Sequence, residues 1–311
     1  MSFLPFCWLV PHDPGPFPEP FSRTFDDYDK FKLWFNILTS IQDPENSEAL
    51  KHIILTYKTI VNSNKEIFSI NCVYAKQKCE LHQRIRAEIL PIIYDLREDY
   101  ELSKAYSDKD EMIENVFARI LLYAHLSGIE FREDFVKLVI PIFHVYYYGI
   151  LQSQQIEFCL ETIEALVADS FVRFMTGPIF NHIKVFDPSY MESLLKQFIS
   201  LIKSEHSYKI MTINKITPNS FALGWIRTIF MTDINFGEVI KIWDFLFTRM
   251  HQFAKSKKTE NNGIHQFHLD ILFLCAGCVR ARENECTRVK PYQTLETLQD
   301  LDDVKADQIV F

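Results

Sequence analysis

At 311 residues, with 48% hydrophobic and 24% charged side chains, the chain has room for roughly two domains and the composition of a globular protein with a large core. A net charge of −8 leaves no basic stripe to neutralise phosphates, which speaks against a general nucleic-acid binder. Only 8 glycines argue against tight hairpins and phosphate-cradling loops and for helices joined by polar segments.

Residues 1–27 form a proline-rich arm, with prolines at 5, 11, 14, 16, 18 and 20 that favour extended or irregular backbone. The opening MSFLPFCWLV is apolar but has no basic stretch and runs into Pro11, so a secretory signal is not expected. From about residue 28 the helical period dominates. Leu50, Ile53, Ile54, Tyr57 and Val61 make one apolar stripe, and Ile113, Val116, Phe117, Ile120, Leu121 and Ala124 a second. Glu130 to Asp134 is a charged cluster placed ahead of Phe135, Leu138, Val139, Ile142 and Phe143, with Pro141 expected to kink or interrupt that helix. The apolar run 138–151 is too short to span a bilayer. Ile156, Cys159, Leu160, Ile163 and Val167 give a further stripe, followed by Met191, Leu194, Leu195, Phe198 and Ile202. Asp43-Pro44, Asp187-Pro188 and Thr217-Pro218 each set a capping side chain before a proline suited to the first helical position. No run of alternating residues marks strands, so the fold is expected to be all-α with more than ten helices in a domain over 28–287. The acidic tail 288–311 reads as a loosely docked helix or a disordered end, with disorder favoured.

Chemistry of the usual kinds is scarce. Cys275-Ala-Gly-Cys278 is a CxxC with His265 and His268 just upstream, a pattern that suggests zinc. It sits in HLDILFLCAGCV, apolar all round, where buried cysteines act as small hydrophobes and Gly277 lets a helix pack closely. No metal or cofactor is therefore expected. The seven cysteines are odd in number and scattered, which reads as a reduced, cytoplasmic chain. The basic KSKK at 255–258 reads as a solvated loop. No P-loop, GxGxxG or GxSxG occurs.

The segment FALGWIRTIFMTDINFGEVIKIWDFLF at 221–247 holds two helical stripes. Leu223, Ile226 and Phe230 line the first, and Val239, Ile242, Trp243 and Leu246 the second. The tryptophans at 225 and 243 each offer about 150–250 Å² to bury. This segment resembles the TBC family of Rab GTPase-activating proteins, in which a Trp-bearing helix, a short linker and an Ile-Trp-Asp-x-Leu-Phe helix follow in that order. The matching positions are Trp225, Ile226 and Arg227, then Ile242, Trp243 and Asp244. SYKIMTINKITPNSF (207–221), LDILFLCAGCVRARE (269–283) and NVFARILLYA (115–124) are similar to flanking family segments, so the likeness runs roughly over 30–285. The fold it implies is a two-lobed multi-helix domain.

The resemblance also implies two catalytic fingers offered to a GTP-bound Rab: an Arg from Ile-x-x-Asp-x-x-Arg and a Gln from Tyr-x-Gln-Gly. The first motif falls on Ile92 to Glu98, where Ile92 and Asp95 match and Glu98 takes the Arg position, with Arg97 one residue before it. The second falls on Phe131, Arg132, Glu133 and Asp134, so Glu133 stands for Gln and Asp134 for Gly. Carboxylates facing an anionic phosphate oppose the charge that an activator must stabilise. The expected function is a Rab-binding pseudo-activator, effector or scaffold in vesicle trafficking, with Asp95, Arg97, Glu98, Phe131, Arg132, Glu133 and Asp134 in the partner groove. Contact with vesicle membranes would be peripheral at most. An active but divergent activator using Arg97 is the alternative, and a helical interaction module unrelated to a GTPase is a third reading.

Overall fold

A computed structural model describes residues 26–41, 44, 47–64, 76–99, 110–153, 156, 159–203, 205–256, 260–261 and 264–309, without the side chains of 47, 76–79, 93–99, 110–114, 254–256, 260–261 and 291. The proline-rich arm lies outside the described residues apart from its last two positions. Fourteen α-helices and one small hairpin occur among the described residues. The first six are α1 (Asp27–Thr39), α2 (Ser47–Ser63), α3 (Lys76–Asp99), α4 (Asp110–Leu126), α5 (Asp134–Gln152) and α6 (Leu160–Thr176). A 3₁₀ turn (His182–Phe186) leads to α7 (Pro188–Ile202), α8 (His206–Ile213), α9 (Ala222–Thr228) and α10 (Phe236–Ser256). Strands β1 (Glu260–Asn261) and β2 (Ile264–His265) pair antiparallel before α11 (Gln266–Ala281). Short helices α12 (Glu283–Cys286), α13 (Thr294–Gln299) and α14 (Ala306–Ile309) close the chain. The architecture is all-α.

Helix α5 is the central strut. It packs on α1 and α6, touches α3, α4 and α9, and keeps Phe135, Leu138, Val139, Ile142 and Phe143 out of water as the apolar stripe requires. It runs through Pro141 without a break, where the sequence led us to expect a kink or interruption. At 19 residues it is also long and apolar enough to cross a membrane, contrary to the shorter run read from sequence, but two-thirds of that window is buried by protein, which makes it a core helix. The other stripes are largely buried as well. However, α6 begins at Leu160, so Ile156 and the exposed Cys159 precede it.

The proposed start signals divide three ways. Asp187 caps α7 by accepting from the Tyr190 backbone N–H, with Pro188 at the first position. Thr217-Pro218 opens a 3₁₀ turn (Pro218–Ser220) without a side-chain cap. Pro44 lies in a turn, and α2 starts three residues later at Ser47. The first two residues of the KSKK cluster, Lys255 and Ser256, belong to the end of α10 and not to a loop.

The tail is docked, correcting the expectation of disorder. Leu298, Leu301, Val304, Ala306 and Ile309 are all buried, and α14 rests on α10 and α11. Its seat depends on Gly277, where any Cβ would collide with the Ile309 backbone. The Glu238 carboxylate accepts from the Ala306 N–H, and Arg282 pairs with Asp303. Acidic composition suggested a solvated end, but the apolar residues spaced through it find a surface on the core.

Candidate functional site

The charged cluster is positioned by the end of α4. Gly128 adopts φ 92°, its N–H donates to the His125 carbonyl, and the Ile129 N–H donates to the Ala124 carbonyl. This left-handed glycine stop, a Schellman motif, satisfies the last carbonyls of the helix and turns the chain sharply. The following residues alternate between core and solvent. Ile129 and Phe131 point into the core, whereas Glu130 and Arg132 point to solvent. Glu133 is exposed at the N-cap of α5 without a capping hydrogen bond, and Asp134, in the first helical turn, is half-buried. Part of this charge has an ordinary role, because carboxylates at a helix N-terminus gain about 0.3–1 kcal/mol from the helix dipole. Arg132 has no such role there.

The surroundings come from three elements. Arg84 of α3 lies over the buried Phe131 ring at 5.3 Å, so Phe131 serves as an anchor and not as a surface contact. Phe135 meets Phe186 edge-on at 5.2 Å, joining α5 to the 3₁₀ turn. Arg132 and Arg227 both lie against that Phe186 ring, at 5.3 Å and 5.8 Å. The buried His182 lies on the same turn, and its Nε2–H donates to the Arg227 carbonyl at 2.9 Å. Burial pushes the His182 imidazole down to about 4, so it is neutral at physiological pH.

The backbones of Asp95, Arg97 and Glu98 form the last part of α3, but their side chains lie outside the described residues. On a helix rising ~1.5 Å per residue, Glu98 stands roughly 21 Å along the axis from Arg84. No described contact joins it to Glu133.

The Trp-Asp motif is built into the core instead. Trp225 and Trp243 are fully buried. Trp243 stacks on Trp34 at 5.7 Å and on Phe174 at 5.6 Å, and its Nε1–H donates to the Ile229 carbonyl. Asp244 accepts a 2.7 Å hydrogen bond from the Trp34 indole, tying α10 to α1. Burial raises its pKa to about 6, against the opposing pull of Lys30 and of that hydrogen bond. Sequence reasoning missed Trp34 and Phe186; both sit in aromatic-rich stretches that mark core and say nothing of a partner. Cys275 and Cys278 are buried in α11, and burial pushes both thiols well up. Among the described residues no group of three His, Cys, Asp or Glu is arranged to hold a metal ion.

An all-α domain with a buried Trp-Asp helix and a charged mouth on its central helix defines a class, and comparison places it. Residues 47–257 match the family described as the Rab-GTPase-TBC domain. The chain belongs to that family. Among solved structures it is similar to the Ypt/Rab-GAP domain of Gyp1p, at 18% identity and a TM-score of 0.64, over 92% of this chain and 86% of that one. That likeness is one of fold. No curated protein matches the sequence.

Proposed function

We propose that this TBC protein binds a Rab-type GTPase and holds it without supplying the catalytic pair, as a pseudo-activator, effector or scaffold in vesicle trafficking. The observation that carries the reading is Glu133, an exposed carboxylate at the head of α5, at the position that the family resemblance gives to the glutamine finger. A glutamine amide can both donate and accept while it orients the attacking water. An ionised glutamate only accepts, and it adds charge. Two like charges about 4 Å apart cost about 4 kcal/mol at an effective dielectric near 20. Glu98 in the Arg position removes a further contribution, since an arginine finger accelerates hydrolysis by ~10³–10⁵. Both changes push the same way, against transition-state stabilisation and not against docking.

The nucleotide belongs to the partner, and the chain itself needs no cofactor in this reading. It would work in the cytoplasm and reach vesicle membranes only through that partner. The test is a gain of function. Glu98→Arg combined with Glu133→Gln should create measurable GTP hydrolysis on a Rab that the unaltered protein binds. If the double variant binds as before yet stays inert, the assignment of these two positions is wrong.

A further inference from the structure

Arg132 and Arg227 stand 95 residues apart in sequence and meet at one aromatic ring. Their guanidinium carbons lie 5.3 Å and 5.8 Å from the Phe186 centroid, so they are no farther apart than the sum of those two distances. Neither side chain makes an ion pair or a hydrogen bond among the described residues, and the Arg227 Nε is buried without a partner. Each guanidinium gains about 0.5–1 kcal/mol from the Phe186 face, but that contact leaves its N–H donors unused, and a buried donor left unsatisfied costs about 1–3 kcal/mol. Arg132 is exposed just ahead of α5, where the positive end of the helix disfavours a cation. Phe135 meets the shared ring edge-on and holds it in place. Two pre-positioned guanidinium groups with unused donors are the chemistry of oxyanion recognition.

We propose that Arg132, Phe186 and Arg227 form a two-armed clamp for a carboxylate, carried by an acidic side chain on the surface of the partner GTPase. The proposal rests on the GTPase-binding reading above and names the chemistry of its recognition. Charge decides between a carboxylate and a nucleotide phosphate. Glu130, Glu133 and Asp134 all lie within two residues of Arg132. A terminal phosphate bearing about two negative charges meets roughly twice the repulsion that a singly charged carboxylate meets. A carboxylate also accepts two parallel N–H bonds from one planar fork and keeps outward lone pairs for a donor of the other. Arg132 and Arg227 are then specificity-determining residues, selecting partners with an acidic side chain at the matching point.

The test measures binding to a panel of Rab GTPases loaded with GDP or a non-hydrolysable GTP analogue. The protein is used unaltered and as Arg132→Ala, Arg132→Lys, Arg227→Ala and Arg227→Gln, each checked for an unchanged thermal melt. Either alanine should weaken binding about tenfold to a hundredfold, equally in both nucleotide states, as expected for a lost bidentate charged contact. Arg132→Lys should recover little, because an ammonium lacks the fork. Unchanged affinity in the folded variants overturns the clamp, and a loss confined to the GTP state reassigns the arginines to the phosphate. If the unaltered protein binds no GTPase, the functional reading fails separately. The arginine Nε–H NMR signals of the free protein, titrated with acetate against chloride, then decide the clamp: a response at both arginines upholds it, and silence ends it.

Discussion

Asp244 accepts a hydrogen bond from the Trp34 indole across 210 residues of sequence, and it does so from inside the core. Burial raises its pKa to about 6, so the folded chain holds this proton more tightly than the unfolded chain, whose value is near 3.8. The favourable contribution is therefore full below about pH 4 and is lost as pH rises to about 6. Asp244→Asn keeps an acceptor for Trp34 without the titration. Its stability relative to the unaltered chain should rise between pH 4 and 6 and level off above, as read by urea denaturation at stepped pH. Asp244→Ala should instead cost about 1–3 kcal/mol at every pH, because the buried indole N–H loses its partner. The Trp-Asp pattern was legible in the sequence. Its partner was not, because no local period points from residue 244 to residue 34.

Helices α2, α4 and α6 are tied by one buried carboxylate. Glu164 on α6 takes two bonds from Arg119 on α4, at 2.7 and 2.6 Å, and one from the Tyr57 hydroxyl on α2. Its side chain is 4% exposed and that of Arg119 29%. Removing Arg119 leaves a buried charge with a hydroxyl as its only described partner, so Arg119→Ala should cost about 3 kcal/mol, the low end for a buried pair because water reaches the arginine side. Adding Glu164→Gln to Arg119→Met should recover most of that loss in a thermal melt, since the uncompensated charge is gone while Tyr57 keeps an acceptor. At the other end of the molecule, Gly277→Val should release α14 by collision with the Ile309 backbone, and limited proteolysis should then cut near residue 300. The stripes of α2, α4 and α7 were readable because one face is uniformly apolar. The docking of the tail was not, because its apolar residues are too few and too irregularly spaced to show a period.

For the molecule as a whole, acid should be the vulnerable side. Burial pushes His144 and His182 down to about 4 and holds His268 well below its ordinary value. The folded chain resists protonating these rings, so their stabilising contribution is full above the unfolded value near 6.5 and is lost as pH falls toward 4. Burial also raises Asp233, Asp244 and Asp270, which trend the other way, but the histidine loss begins at the higher pH, near 6.5, and the denaturation midpoint should fall between pH 7 and 5. The all-α class and the Trp-Asp core were visible from helical period and motif. The candidate site was visible only in part. Its charged loop could be read, but the pairing of Arg132 with Arg227 depends on a 3₁₀ turn that no period announces. Phosphate release from a panel of GTP-loaded Rab proteins decides whether this TBC fold binds a GTPase without activating it. At least one Rab should bind, and its hydrolysis rate should be unchanged by saturating protein. Acceleration of any bound Rab, abolished by Arg97→Ala, would contradict it.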